Sequence, residues 1–150
     1  MAGRHRARMA LTGDRWDRDA LRAGVGVAVV FAVPFAVFGR IARSEDWSSA
    51  IVVVSNLAMI GALFLGAGIT AWRQRAGTPL SHGIVVALLA YALIQGVLAI
   101  VRLVRGADVE FGAILFNTAF ALGAGLLGGF VGQLLLGRGI TPPDRPSSSA

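Results

Sequence analysis

Charged residues in this chain fall in short clusters, and four stretches between them hold none: residues 23–39, 50–71, 83–101 and 111–136. A bilayer core of about 30 Å calls for about 20 apolar residues in a helix, with a working range of roughly 17–25. The four runs therefore predict four membrane-spanning helices. The fold class that follows is all-α and integral to the membrane, a four-transmembrane-helix bundle. Residues 1–22 form a basic cytoplasmic segment, 23–136 the transmembrane domain, and 137–150 a tail too rich in Pro and Ser to fold.

Local signals refine the spans. The first run is the shortest, so Arg22 and Arg40 are expected to snorkel to its two interfaces, and Pro34 inside it favours a kink. Asp14 pairs with Arg18 and Arg15 with Asp19 at helical spacing, which extends a turn ahead of the first span. Thr78 followed by Pro79 reads as an N-cap with proline in the first helical position. The last run is the longest and is expected to tilt, or to begin as an interfacial turn around Val109 to Phe111. The first apolar run is followed by Gly39 and Arg40 without a small-residue cleavage site, so it is expected to persist rather than act as a signal peptide.

Composition supports the membrane reading: 55% of the 150 residues are hydrophobic and only 15% charged, which disfavours a soluble domain. All 14 basic residues are Arg, a pattern that GC-rich bacterial coding explains, so the net charge of +6 is no argument for nucleic acid as a partner. The placement of the arginines is more informative. Arg4, Arg6, Arg8, Arg15, Arg18, Arg22, Arg73, Arg75, Arg138 and Arg145 fall on one side of the predicted topology, against Arg40, Arg43, Arg102 and Arg105 on the other. The positive-inside rule then puts both termini in the cytoplasm of a bacterial inner membrane. The basic N-terminal segment is expected to lie on anionic inner-leaflet lipid, and Trp16, Trp47 and Trp72 fall where interfacial anchors belong.

A shift of 62 residues sets Arg40, Arg43 and Asp46 on Arg102, Arg105 and Asp108, and Gly61, Ala62, Leu65 and Gly66 on Gly123, Ala124, Leu127 and Gly128. Those seven identities over 40–69 against 102–131 raise a tandem duplication of a two-helix hairpin, with its pseudo-two-fold axis along the membrane normal.

Small residues recur four apart, notably at Ala62 and Gly66 and at Ala124, Gly128 and Gly132. Such stripes let helix backbones approach closely, and here they mark either packing inside the bundle or an interface with a second copy or another membrane protein. Asn56, Gln95 and Asn117 are carboxamides within the spans; they either cross-link helices or line a polar path. His82 lies one turn into the third helix, where it reads as a solvated residue or as an interfacial sensor of pH or lipid headgroups.

No Asp, Glu, Lys, Arg or His lies near a predicted midplane, which argues against a proton-coupled pump. Cysteine is absent and only two His are present, so no metal centre is expected. No nucleophile with a base, no paired carboxylates on one face and no phosphate loop is found, so neither catalysis nor a cofactor is expected.

Over residues 61–95, the Gly-rich run Gly61-Ala-Leu-Phe-Leu-Gly-Ala-Gly is followed by a basic loop, Trp72-Arg-Gln-Arg, and then by His82-Gly83 at the head of the third helix. In these features the chain resembles a broad group of small bacterial membrane proteins of the YrzE type. The resemblance implies four helices and carries no catalytic residues with it. Two readings of function follow. One is a non-enzymatic membrane protein that acts in assembly or partner binding through its small-residue faces. The other is an oligomeric channel or carrier for a small solute or ion, with a polar path near Asn56 and Asn117.

Overall fold

The computed structural model describes residues 16–143, and four α-helices account for most of them: α1 Arg18–Ser44, α2 Ser49–Arg73, α3 Pro79–Val104 and α4 Phe111–Gly137. Each is long and apolar enough to cross a membrane, and none of the described residues forms a strand. The chain is a multi-pass membrane protein built as an all-α four-helix bundle. The proposed Asp14–Arg18 and Arg15–Asp19 pairs, most of the N-terminal basic segment and the end of the tail lie outside the described residues.

The helices outrun their apolar cores, because flanking charges do not stop a helix. α1 has 27 residues and takes in Arg22 and Arg40, so as a helix it is no shorter than the others, although its uncharged run is. What bounds α1 is local chemistry. Asp17 accepts the Ala20 N–H through Oδ1 at 3.0 Å as N-cap, and Asp46, with φ of 51°, turns the chain after Ser44. At the head of α3, Thr78 precedes Pro79 as expected, yet its hydroxyl makes no cap hydrogen bond. It lies 3.0 Å from His82 Nδ1 instead. α4 starts at Phe111, whose N–H donates to the Val109 carbonyl in the expected interfacial turn.

Short connections at 45–48, 74–78 and 105–110 make successive helices antiparallel. α2 and α3 touch each other and form the short diagonal; α1 and α4 lie on opposite sides of it and do not meet. A duplicated hairpin related by a two-fold would make α1 equivalent to α3 and α2 to α4, and this packing is not of that kind. Gly66 packs against Gly24 and Ala28 of α1, whereas Gly128 packs against Phe64, Ala67 and Gly68 of α2. The repeated residues keep their use as contact points but not their partners.

The two ends of the bundle differ. Close approaches concentrate in the half that contains the head of α1, the α2–α3 loop and the foot of α4, here termed the closed end. A Cβ added at Gly66 would lie 2.6 Å from the Gly24 carbonyl oxygen, one at Gly83 2.7 Å from that of Gly125, and one at Gly132 2.7 Å from that of Gly68. At Gly24 it would strike the Thr70 hydroxyl. Backbones meeting this closely gain dispersion contacts that bulkier faces cannot reach in lipid. The core beneath is correspondingly small-grained: Ala28, Ala67, Ala87 and Ala90 around Leu63 and Tyr91.

Polar side chains latch this end. His82 is fully buried, and its Nε2 accepts the Asp17 backbone N–H at 3.0 Å. Nδ1 therefore carries the proton in the neutral ring and donates to the Thr78 carbonyl at 2.8 Å, while Trp16 covers the ring at 5.0 Å between centroids. Asp17 Oδ2 accepts the Arg75 N–H at 3.0 Å, Gln74 Oε1 the Thr78 N–H at 3.3 Å, and the Ile140 carbonyl the Trp72 indole N–H at 2.7 Å. All four helices are thus tied together at one end.

Two predictions follow from this end. Gly66→Ala and Gly128→Ala should each destabilise the fold by about 1–3 kcal/mol through overpacking. Gly61→Ala and Gly123→Ala, where a Cβ meets open space, should be neutral or stabilising by up to about 1 kcal/mol. Unfolding in mixed micelles measures all four, and equal losses at both pairs would contradict the seam. Burial raises the Asp17 carboxyl, but the Ala20 and Arg75 N–H groups, together with the Arg75 charge, outweigh it and hold the group below its ordinary 3.8. A carboxyl lowered in the fold stabilises it above the unfolded value, and that support is lost as pH falls through the folded one. The protection of the Ala20 and Arg75 amides, taken relative to their intrinsic exchange rates at each pH, should therefore fall below about pH 4 in the wild type, an acceleration over the intrinsic rate. In Asp17→Asn that acceleration should be absent.

Candidate functional site

Away from the seam, the half bearing the α1–α2 and α3–α4 loops is held apart by larger side chains, and a cavity of about 270 Å³ opens between all four helices. Three helices line it with residues at i, i+3, i+4 and i+7, the spacing of one helical face. α1 supplies Ala36, Gly39, Arg40 and Arg43, and α3 supplies Gln95, Leu98, Ala99 and Arg102. The third stripe, Glu110, Ala113, Ile114 and Asn117, belongs to the head of α4. α2 adds Asn56 and Met59. Met59 and Ile94 pack with Ala32 and Ala62 beneath the floor.

The walls are graded by depth. The mouth carries Arg40, Arg43 and Arg102 against the single carboxylate of Glu110. The only ion pair there is Arg102 Nη2 to Glu110 Oε1 at 3.3 Å, and Arg102 Nη1 also donates to the Asp108 carbonyl at 3.3 Å. Gly106, at φ 67°, makes the tight exit from α3 that brings Glu110 back over Arg102. Arg40 is half-buried and feels Arg102, Arg43 and Arg105 as like charges, with Glu110 as its counter-charge. Of the charged residues that line the cavity, three are arginines and one is a carboxylate, while the two loops at this end also carry Glu45, Asp46 and Asp108.

Deeper in stand Asn56, Gln95 and Asn117, brought together from α2, α3 and α4. None of the three makes a hydrogen bond to another described residue, whereas every buried side-chain nitrogen and oxygen among them is satisfied. The carboxamides thus do not cross-link the helices. They line the cavity about 9–14 Å from the helix ends at 1.5 Å per residue, Gln95 half-buried and Asn56 and Asn117 exposed. A carboxamide turned to lipid without a partner would cost about 1–3 kcal/mol on protein scales, so their shared place on the wall marks the cavity as a polar space.

The other expected site residues lie elsewhere. Ala62, Gly66, Ala124, Gly128 and Gly132 are all buried between helices of the same chain, so these stripes serve the bundle's own packing. His82 is neither solvated nor facing headgroups, because Thr78, Asp17 and Trp16 enclose it. In the sequence Arg40, Arg43, Arg102 and Glu110 bear only on topology; their place in the cavity is new. The signal that finds them is spacing. Arg102 lies seven residues from Gln95, and Glu110 seven from Asn117, each pair on one helical face.

A second depression of about 240 Å³ adjoins the cavity, and Asn56, Met59 and Asn117 line both. Its other walls are apolar: Val53, Leu57 and Ile60 of α2, Phe120 and Ala121 of α4, with Leu63 and Tyr91 at the back. The Tyr91 hydroxyl is occupied, donating to the Ile114 carbonyl at 2.9 Å. No group of three or more His, Cys, Asp or Glu fit to hold a metal is present among the described residues.

No family model, curated protein or solved structure matches the chain. What the geometry establishes is a multi-pass membrane protein, latched at one end and open at the other into a cavity with arginines at its mouth.

Proposed function

We propose that this membrane protein binds an anionic group in the open-end cavity, without chemical transformation of it. The observation that carries the reading is the convergence of three carboxamides without protein partners below three arginines that share one carboxylate. Arginine offers a planar fork of donors that matches phosphate and carboxylate oxygens, and carboxamide N–H groups complete such a shell. A volume of about 270 Å³ holds roughly nine waters at about 30 Å³ each, enough for one such group with part of its hydration.

The reading shifts weight between the two functions the sequence suggests. The small-residue positions expected to serve assembly are buried within one chain, which weighs against the assembly reading. The polar path near Asn56 and Asn117 is supported in the form of a vestibule, since a cavity within one chain is lined by both residues. Below it, among the described residues, the glycine seam and the latch close the helices on one another, which favours binding over free conduction. In a bacterial inner membrane with both termini cytoplasmic, as the arginine distribution implies, the vestibule faces outward.

Titration of the isotope-labelled protein in nanodiscs with inorganic phosphate, against sodium chloride at equal ionic strength, tests the reading. The side-chain amide signals of Asn56, Gln95 and Asn117 should shift and saturate, while that of Gln133, exposed on α4 away from the cavity, stays in place. Absence of a response at the three amides, or an equal response at Gln133, would contradict it.

A further inference from the structure

We infer that the occupant is an anionic glycerophospholipid of the surrounding bilayer, with its phosphate among the arginines and one acyl chain in the groove between α2 and α4. The inference rests on the anion-binding reading above and names the class of ligand. A site for a free anion needs only the cavity. Here the cavity continues through Asn56, Met59 and Asn117 into the apolar depression, which α3 closes at the back through Tyr91 and which opens outward between α2 and α4. The rim of that opening is exposed, with Val53 at 54%, Leu57 at 61% and Phe120 at 47% of their free surface. In a membrane-spanning bundle, the medium at that rim is acyl chain.

The order of chemistry along this route is that of the lipid itself. Cations stand at the helix ends, where phosphates lie in a bilayer. Neutral hydrogen-bond donors come next, at the level of ester carbonyls, and hydrocarbon walls follow. Arg40, Arg43 and Arg102 against Glu110 favour a headgroup with net negative charge over a zwitterion, whose ammonium would meet the same arginines. Asn56 and Asn117 sit where the two spaces join, which suits them to donate to the ester oxygens between head and chain. A soluble anion would leave the groove with nothing to recognise, and a neutral lipid would leave the arginines so.

The test uses the full chain released from mixed bilayers of phosphatidylglycerol and phosphatidylcholine with matched acyl chains. The lipid retained one-to-one is read by native mass spectrometry. The expected result is about tenfold or greater selection of phosphatidylglycerol, lost in Arg40→Gln, since a hydrogen bond to a charged group is worth about that factor. The second variant, Val53→Trp with Leu57→Trp, fills the groove at positions exposed on its rim. It should retain phosphatidylglycerol about tenfold less, by loss of chain contact, while its Gln95 amide, which lines the cavity but not the groove, still responds to inorganic phosphate. Equal retention of the two lipids, or undiminished retention in the groove variant, would overturn the lipid assignment while a phosphate response left the anion site standing. Failure of the amides to respond to phosphate in any form would overturn both.

Discussion

The closeness of helix backbones at one end of the bundle is the constraint on which everything else depends. Gly24, Gly66, Gly83, Gly125, Gly128, Gly129 and Gly132 sit in the half of their helices nearest the closed end, and a side chain added at any of them meets backbone or a neighbouring Cβ. Four rods drawn together at one end, with only α1 and α2 still in close contact at the other through Gly39 and Ser55, enclose a wedge of space. The cavity is therefore a product of where the glycines are, not of any residue that lines it.

The latch makes the wedge directional. Asp17, Gln74, Thr78 and His82 satisfy one another's hydrogen-bonding groups at the closed end, and Trp72 holds the chain after α4. At the open end the polar groups are not paired off in this way: one ion pair ties Arg102 to Glu110, and three carboxamides face open space. The same residue classes serve stability at one end and availability at the other. In the hydrocarbon layer, polar groups without partners are costly, and a fold that keeps three of them together has a use for their hydrogen bonds.

Much of this architecture is legible in the sequence. Four uncharged runs give four helices, because hydrocarbon thickness fixes length and backbone hydrogen bonding fixes form. The helix ends are less legible: Arg22 and Arg40 lie inside α1, since a charge near an interface costs a helix little. The small-residue stripes identify which faces pack but not which helix they pack on, as Gly66 against α1 and Gly128 against α2 make plain. The duplication suggested by matching residues does not extend to their partners for the same reason. His82 reads as interfacial because its distance from the span's end is visible, whereas Trp16, Asp17 and Thr78 close around it only in three dimensions. The cavity is half-legible: each carboxamide is visible as a polar residue in a span, and the seven-residue spacing to a charged end is there to be read. That the three faces converge depends on the order of packing around the α2–α3 diagonal.

The central claim is that a polar vestibule enters the membrane from the open end and stops at the glycine seam. Because the chain holds no cysteine, single substitutions report cleanly on access. The most direct measurement is labelling of Asn56→Cys, Gln95→Cys and Asn117→Cys in sealed vesicles by a membrane-impermeant maleimide, applied to one side at a time. Leu65→Cys, a lipid-facing position on α2, serves as the unreactive reference. The account predicts that the three carboxamide positions react, and from the side of the α1–α2 and α3–α4 loops alone. Labelling no faster than at Leu65→Cys, or labelling from both sides, would contradict it.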